Sequence, residues 1–389
     1  MLLIFINNYL HFQPIKNYTK LLTITVYINV FIKYLKNVKI YLYTEVRTMD
    51  KPKTINGLMK HLRNNGVSIK NSRQKKQLIN QGYYHGYKAY RFFKDSNTKL
   101  PINNYEQINR TIIYDTKLKS LFYDKIMFIE TALKNRCLNI ILKEINSHNI
   151  NDLYEKGIES FKNCPPNYNE AQKIKAQKNL LSLQTTIHSN ISKAYKKGNP
   201  KITHFYNNVN YTNIPLWSIF EMMTMGDFGA LMQCLVYDLR DKISKDIGIN
   251  LSTDTERKLV AKYIYTLKDL RNAIAHNDVV YDARFRNIDP SNSMKQCLVL
   301  DMNLPYVNFK DIVDYIALVT YFLKLLHVNK KEIKSFVNEF EVITNEYINS
   351  VPNCITDKTI KSNWLQRISK IRMFLYNSLV KQTGEKKYE

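Results

Sequence analysis

The chain has 389 residues, of which 44% are hydrophobic and 23% charged. This is ordinary globular usage, so wholesale disorder is excluded and core size is not limiting. Lys and Arg number 58 against 33 Asp and Glu, a formal charge of +25 with a pI near 9.6, far from the needs of an enzyme of small neutral substrates. The excess points to a polyanionic partner, nucleic acid first, although an AT-rich coding sequence would also enrich Lys, Asn, Ile and Tyr.

The first 48 residues are rich in Ile, Tyr, Asn and Leu, and the composition changes at Met49, where Asp50-Lys51-Pro52-Lys53 begins. We therefore expect the natural start at Met49 and treat 1–48 as a misassigned or disordered extension. A membrane anchor over Leu21 to Ile32 is the rival, but Thr23, Thr25 and Asn29 interrupt it and it falls short of the roughly 20 apolar residues that span a bilayer. Leu2 to Ile6 has no basic region before it and no small-residue cleavage site after it, so no signal peptide is expected.

From Asp50 onward apolar residues recur at three and four positions, Gly and Pro are sparse at 10 each, and alternating patterns are few, which predicts an all-α chain. Ile55 to Phe93 reads as a small N-terminal helical lobe punctuated by Gly66 and Gly82, with Tyr83, Tyr84, Tyr87 and Tyr90 clustered after the second helix. Its basic run, Lys70, Arg73, Lys75 and Lys76, is a candidate RNA contact because cationic side chains release counterions from a phosphate backbone; a solvated helix face is the simpler alternative. The tyrosines could stack on bases, but at helical spacing such rings usually pack in a core.

Leu118, Leu121, Phe122, Ile126, Ile129 and Leu133 form one stripe, and Ile219, Met222, Met223, Leu231, Leu235 and Leu239 suggest others interrupted near Gly226 and Gly229. Such rows are expected to be bundle core. Asn163 to Pro200 reads as a loop, a surface helix and another loop; Phe309 to Val328 reads as a helix. In the tail from Lys358 to Glu389, Trp364, Leu365, Ile368, Ile371 and Leu375 predict one last docking helix. The five cysteines, Cys137, Cys164, Cys234, Cys297 and Cys354, contain no close pair, which excludes zinc-ribbon spacing, argues against a disulfide framework and fits a reducing cytoplasm.

The segment richest in chemistry begins at Thr253, expected to cap a helix in a box with Glu256. Leu259, Tyr263, Leu267, Leu270 and Ile274 follow at helical spacing and lead into Arg271-Asn272-Ala273-Ile274-Ala275-His276-Asn277-Asp278. Asn272 and His276 lie one turn apart, away from the apolar stripe, with Arg271 at its edge. Arg271 and His276 are poorly aligned on an ideal helix, so they converge only if the arginine curls round, the helix end unwinds or a second protomer contributes. An imidazole can move a proton near neutral pH, and a guanidinium can hold a phosphate and stabilise charge building on it. The pair suits metal-independent RNA cleavage by the 2′-hydroxyl, with Asn272 and Asn277 supporting. A polar helix terminus favoured by the dipole explains the same residues without function. A metal site using His276 and Asp278 lacks a third ligand and ranks last; no cofactor is expected.

Arg271 to His276 resembles the signature of the HEPN superfamily, an arginine and a polar residue followed by a histidine. Three further blocks resemble the abortive-infection family related to AbiD and AbiF. They are Gln81-Gly82-Tyr83-Tyr84-His85-Gly86-Tyr87, Tyr114-Asp115 through Ile129-Glu130-Thr131-Ala132-Leu133-Lys134, and Pro215-Leu216-Trp217-Ser218-Ile219-Phe220-Glu221. The resemblance covers roughly Lys51 to Val328 and implies a HEPN-like bundle, pairing as a homodimer with facing motifs, and RNA-cutting toxins that halt phage-infected cells. It carries catalytic roles to Arg271 and His276 and a supporting one to Asn272. Lys134 stands where the residue before an arginine is expected and His85 where arginine is common, which leaves finer roles, Glu130's included, unassigned.

The expected organisation is an extension over 1–48, a lobe over 49–100, a HEPN-like bundle over 101–335 and a C-terminal helical segment over 336–389. The expected function is a cytoplasmic, homodimeric endoribonuclease with RNA as partner, no membrane association, and restraint by an antitoxin or regulatory RNA. A non-catalytic RNA-binding protein is the main alternative; a membrane-associated interaction protein using 1–48 comes last.

Overall fold

A computed structural model describes residues 53–376 apart from 96, 209–212 and 287–288. The extension over 1–48, with its Leu21 to Ile32 run, and the tail beyond 376 lie outside the described residues. Those from Met59 onward cluster as one compact unit. The fold is all-α: the described residues contain isolated bridges such as Phe92 with Lys99 but no sheet. No helix among them is long and apolar enough to cross a membrane, and their five cysteines are all free.

Helix α1 (Ile55–Asn64) and α2 (Ser72–Gln81) form the lobe, and a π-helical turn over Tyr83–Lys88 returns the chain to the bundle. Gly86 is required there, because a Cβ would sit 2.9 Å from Cβ of Gln81 and 3.2 Å from its carbonyl. Tyr87 and Tyr90 are buried while Tyr84 is 69% exposed, so the core reading holds for two of these tyrosines. Gln81 is itself a joint: its amide donates to Asn109 (2.8 Å) and accepts from Tyr105 (2.8 Å).

The spine is α3 (Tyr105–Ile145), 41 residues opened by an Asn104/Gln107 capping box and about 60 Å long at helical rise. Its stripe from Leu118 to Leu133 is buried as expected. After it come α4 (Glu170–Lys196), α5 (Pro200–Tyr206), α6 (Leu216–Met222), α7 (Met225–Cys234), α8 (Tyr237–Ile247) and α9 (Leu259–Ala275). Gly226 and Gly229 do not interrupt a helix; both lie inside α7, and the breaks fall at Met223 and Leu235, which leave helical backbone at the two helix ends. Gly229 instead permits close approach, since a Cβ would meet the Tyr265 ring of α9 at 3.1 Å.

The remaining helices are α10 (Asn292–Met302), α11 (Ile312–Leu325), α12 (Lys330–Ser350), α13 (Asn353–Thr359) and α14 (Trp364–Phe374). Helix α11 is apolar almost all round and buried almost all round, the position such a helix must take. Helix α12 packs along the spine, with Tyr347 stacked on Tyr114 at 4.4 Å. The final helix docks through Trp364, Ile368, Ile371 and Leu375, while Leu365 faces out. Its fully buried Arg367 pairs with Asp311 at 2.9 Å and with Asp314. Burial and the neighbouring Asp311 charge push the Asp314 carboxyl up to about 7, against the pull of Arg367 and the Asn308 and Phe309 amides.

Asp115, fully buried on the spine, joins three regions. One oxygen accepts from the backbone N–H groups of Val280 (2.8 Å) and Tyr281 (2.7 Å), just beyond α9. The other accepts from the Tyr90 hydroxyl of the lobe (2.7 Å) and pairs with Lys119 (2.8 Å). Burial and the Asp115 charge push the Tyr90 hydroxyl well above its ordinary range, which keeps it a donor.

Breaking a buried ion pair from one side leaves a charge without compensation and costs about 3–5 kcal/mol. Asp115→Asn should therefore lower unfolding stability by about 3 kcal/mol, measured by denaturant titration; a loss below about 0.5 kcal/mol, the range of ordinary surface changes, would refute its joining role. Arg367→Met should lower stability by a similar amount, and unequally with pH. With Arg367 beside it the folded Asp314 ionises above about 7, and without that guanidinium its carboxyl is pushed higher still, so the variant's deficit grows as pH rises past 7. Thermal melts should show a larger deficit at pH 8 than at pH 5.

Candidate active site

Helix α9 starts later than the capping-box reading expects. Leu251–Thr253 form a 3-10 turn and the Thr253 hydroxyl donates to the Asn250 carbonyl (3.2 Å), while Glu256 pairs with Lys258 (3.0 Å). Lys258 stands at the N-cap without a side-chain bond of its own, and Asp254, four residues earlier, serves the helix start instead: its carboxylate accepts from the amides of Lys258 and Leu259, both at 2.9 Å. Arg257 explains the delay: it sits in the left-handed region at φ 55, held by Asp241 (2.6 Å) and the carbonyls of Leu251 and Asp254. Leu259, Tyr263, Leu267 and Leu270 are buried as the stripe predicts, but near the end the buried position is Ala273, and Ile274 is only half-buried.

The helix closes at His276. Asn277 takes a left-handed conformation at φ 58 and donates its N–H to Ile274 (3.2 Å), while the Asp278 N–H reaches back to Ala273 (2.8 Å). These two bonds make a Schellman closure with asparagine in the place glycine usually fills. The Asn277 side chain accepts from Lys119 (2.8 Å), whose ammonium also pairs with Asp115. The turn carrying His276 is thus anchored to the spine through Lys119.

Arg271 and His276 both reach the surface, the arginine side chain 38% exposed and the histidine exposed outright. Arg271 Nε lies 3.9 Å from Glu130 of α3. Glu130 in turn binds Lys134 (2.8 Å), which donates to the Met223 carbonyl at the α6–α7 turn (2.6 Å). The Asn272 side chain accepts from Arg271 Nη1 (3.3 Å), and its backbone carbonyl accepts the His276 N–H (2.9 Å). Among the described residues no hydrogen bond or ion pair engages the His276 ring. The arrangement offers a planar cation and a titratable ring at one helix end, facing water.

Lys70 precedes α2, and Arg73, Lys75 and Lys76 lie in its first turns; all are exposed except the half-buried Lys75. Among the described residues no hydrogen bond or ion pair joins them to the end of α9; the lobe's link to that end runs through Tyr90 and Asp115. Sequence reasoning missed Lys119 and gave Asp115 no role. A signal was present: Asp115 lies three residues before Leu118, on the buried face of α3, and an acid there followed by a base four positions on marks a buried i,i+4 pair. No group of three or more His, Cys, Asp or Glu among the described residues is placed to hold a metal ion.

The sequence matches the family model described as Abi-like protein over residues 76–282. No curated protein and no solved structure matches. The matched segment runs from α2 through the spine to Asp282, so it holds Tyr90, Asp115, Lys119 and Glu130 together with the Arg271 to Asn277 helix end. It spans more than half of the 389 residues, and the chain belongs to the Abi-like protein family.

Proposed function

We propose that the protein is a metal-independent endoribonuclease of the HEPN type, acting as an abortive-infection toxin in the manner of AbiD and AbiF relatives. Membership of the Abi-like family supports the abortive-infection role. The observation that carries the enzymatic reading is the water-facing Arg271 and His276 at one anchored helix end. Arg271 is held loosely: a partly exposed pair at 3.9 Å is worth about 0–1 kcal/mol, so little opposes its turning to a phosphate.

In this reading the Arg271 guanidinium binds the non-bridging oxygens of the scissile phosphodiester through forked hydrogen bonds and stabilises charge as it builds. His276 takes the 2′-hydroxyl proton; the 2′-oxygen bonds to phosphorus as the bond to the 5′-oxygen breaks. The leaving oxygen receives a proton, and the ends are a 2′,3′-cyclic phosphate and a 5′-hydroxyl. One motif per chain supplies one imidazole, so base and acid come most simply from two copies related by a two-fold axis. Asn272 steadies Arg271 and Asn277 fixes the turn beneath His276.

Purified full-length protein should cut single-stranded RNA in EDTA and leave 2′,3′-cyclic phosphate ends. His276→Ala should lose about 100- to 10,000-fold in rate and Arg271→Ala about 100- to 1,000-fold. Undiminished cutting by either variant sinks the assignment, and RNA binding without cutting by the wild type favours a non-catalytic RNA-binding protein. Sedimentation should show a dimer at the concentrations that cut; full activity in a monomer would rule out the shared site.

A further inference from the structure

A second basic feature lies on the other side of the α6–α7 turn. The end of α4, the start of α5 and the end of α6 enclose a cleft of about 280 Å³ that includes Asn190, Lys193, Lys197, Asn199, Lys201 and Glu221. Lys201 is paired with Glu221 at 2.7 Å. Lys193 in the last turn of α4 and Lys197 at its C-cap are exposed, stand four positions apart, and have no ion-pair partner among the described residues.

Like charges at that spacing repel by a few tenths of a kcal/mol. A helix C-terminus offsets some of that, and Lys201 across the cleft is neutralised by Glu221, so the net positive charge of the cleft comes from Lys193 and Lys197. The cleft is small and open, unlike an enclosed site for a whole small molecule. Its two exposed ammonium groups are the kind of donor that a phosphate takes up.

Its position relates it to Arg271. Met222 lines the cleft, and the next residue, Met223, gives its carbonyl to Lys134, which binds the same Glu130 that faces Arg271. Asn190 donates to Asp227 (2.9 Å) at the first turn of α7, and a Cβ on Gly226 would lie 3.5 Å from Lys268, one turn before Arg271 on α9. The cleft and the helix end therefore flank the same α6–α7 turn.

We infer that this lysine cleft binds phosphodiesters of the RNA strand beside the one that Arg271 holds, so that the strand crosses the α6–α7 turn. The inference takes RNA as ligand from the ribonuclease reading, and its test is independent of turnover. In full-length His276→Ala protein, affinity for a fluorescent oligouridine is measured by anisotropy across a salt series. Adding Lys193→Ala and Lys197→Ala should weaken binding about tenfold and flatten the slope of log K against log salt by about 1.4, the value for two contacts on a single strand. Adding Lys331→Ala and Lys334→Ala, which remove the same charge from the exposed side of α12, should change both far less. Equal losses in the two double variants, or none in the first, overturn the inference. If the wild type fails to cut RNA while the cleft variants still lose affinity, the ribonuclease reading falls and the cleft stands.

Discussion

One buried carboxylate holds the lobe, the spine and the chain leaving α9 together. Asp115 has no exposed surface, and an ionised group so placed costs several kcal/mol unless its oxygens are satisfied. It meets that demand with groups 25 and 165 residues away in the chain. The lobe, the spine and the segment leaving α9 are consequently fixed to one point, and none can shift without exposing that charge to an unpaired state. Lys119 extends the same constraint to the turn below His276.

The electrostatic contrast across a few residues is instructive. The pairs beneath the site, Lys119 with Asp115 and Lys134 with Glu130, are short and largely buried, whereas the contact between Arg271 and Glu130 is long and partly wet. Firm pairs set positions, and the weak one leaves a cation available. Under the ribonuclease proposal the charge of the whole chain would draw an anionic strand in, and a weakly held guanidinium at a defined place would take one phosphate.

Helical periodicity made the architecture legible: the Leu118 to Leu133 stripe, the α11 run and the docking of Trp364 and Ile368 follow from apolar spacing alone. What misled was local polar chemistry. Thr253 and Glu256 have a capping-box spacing, but Arg257 adopts a left-handed backbone that its own hydrogen bonds sustain, and Asp254 serves the helix start. Two glycines looked like breaks, yet Gly229 serves contact with Tyr265, which depends on a helix far along the chain. The Arg271 and His276 pair was legible as a motif; the Asp115 and Lys119 support beneath it required three-dimensional proximity to recognise.

Position 277 carries two demands that few side chains meet together. Its backbone has crossed into a region that disfavours residues bearing a Cβ, apart from the short polar ones that bond locally. Glycine would relax there with ease but would offer Lys119 nothing to donate to, and glutamine would offer an oxygen on a stem poorly suited to that backbone. The chain's vocabulary at this site narrows to asparagine and its acid counterpart, so a residue one step beyond the histidine is constrained as tightly as many in the core.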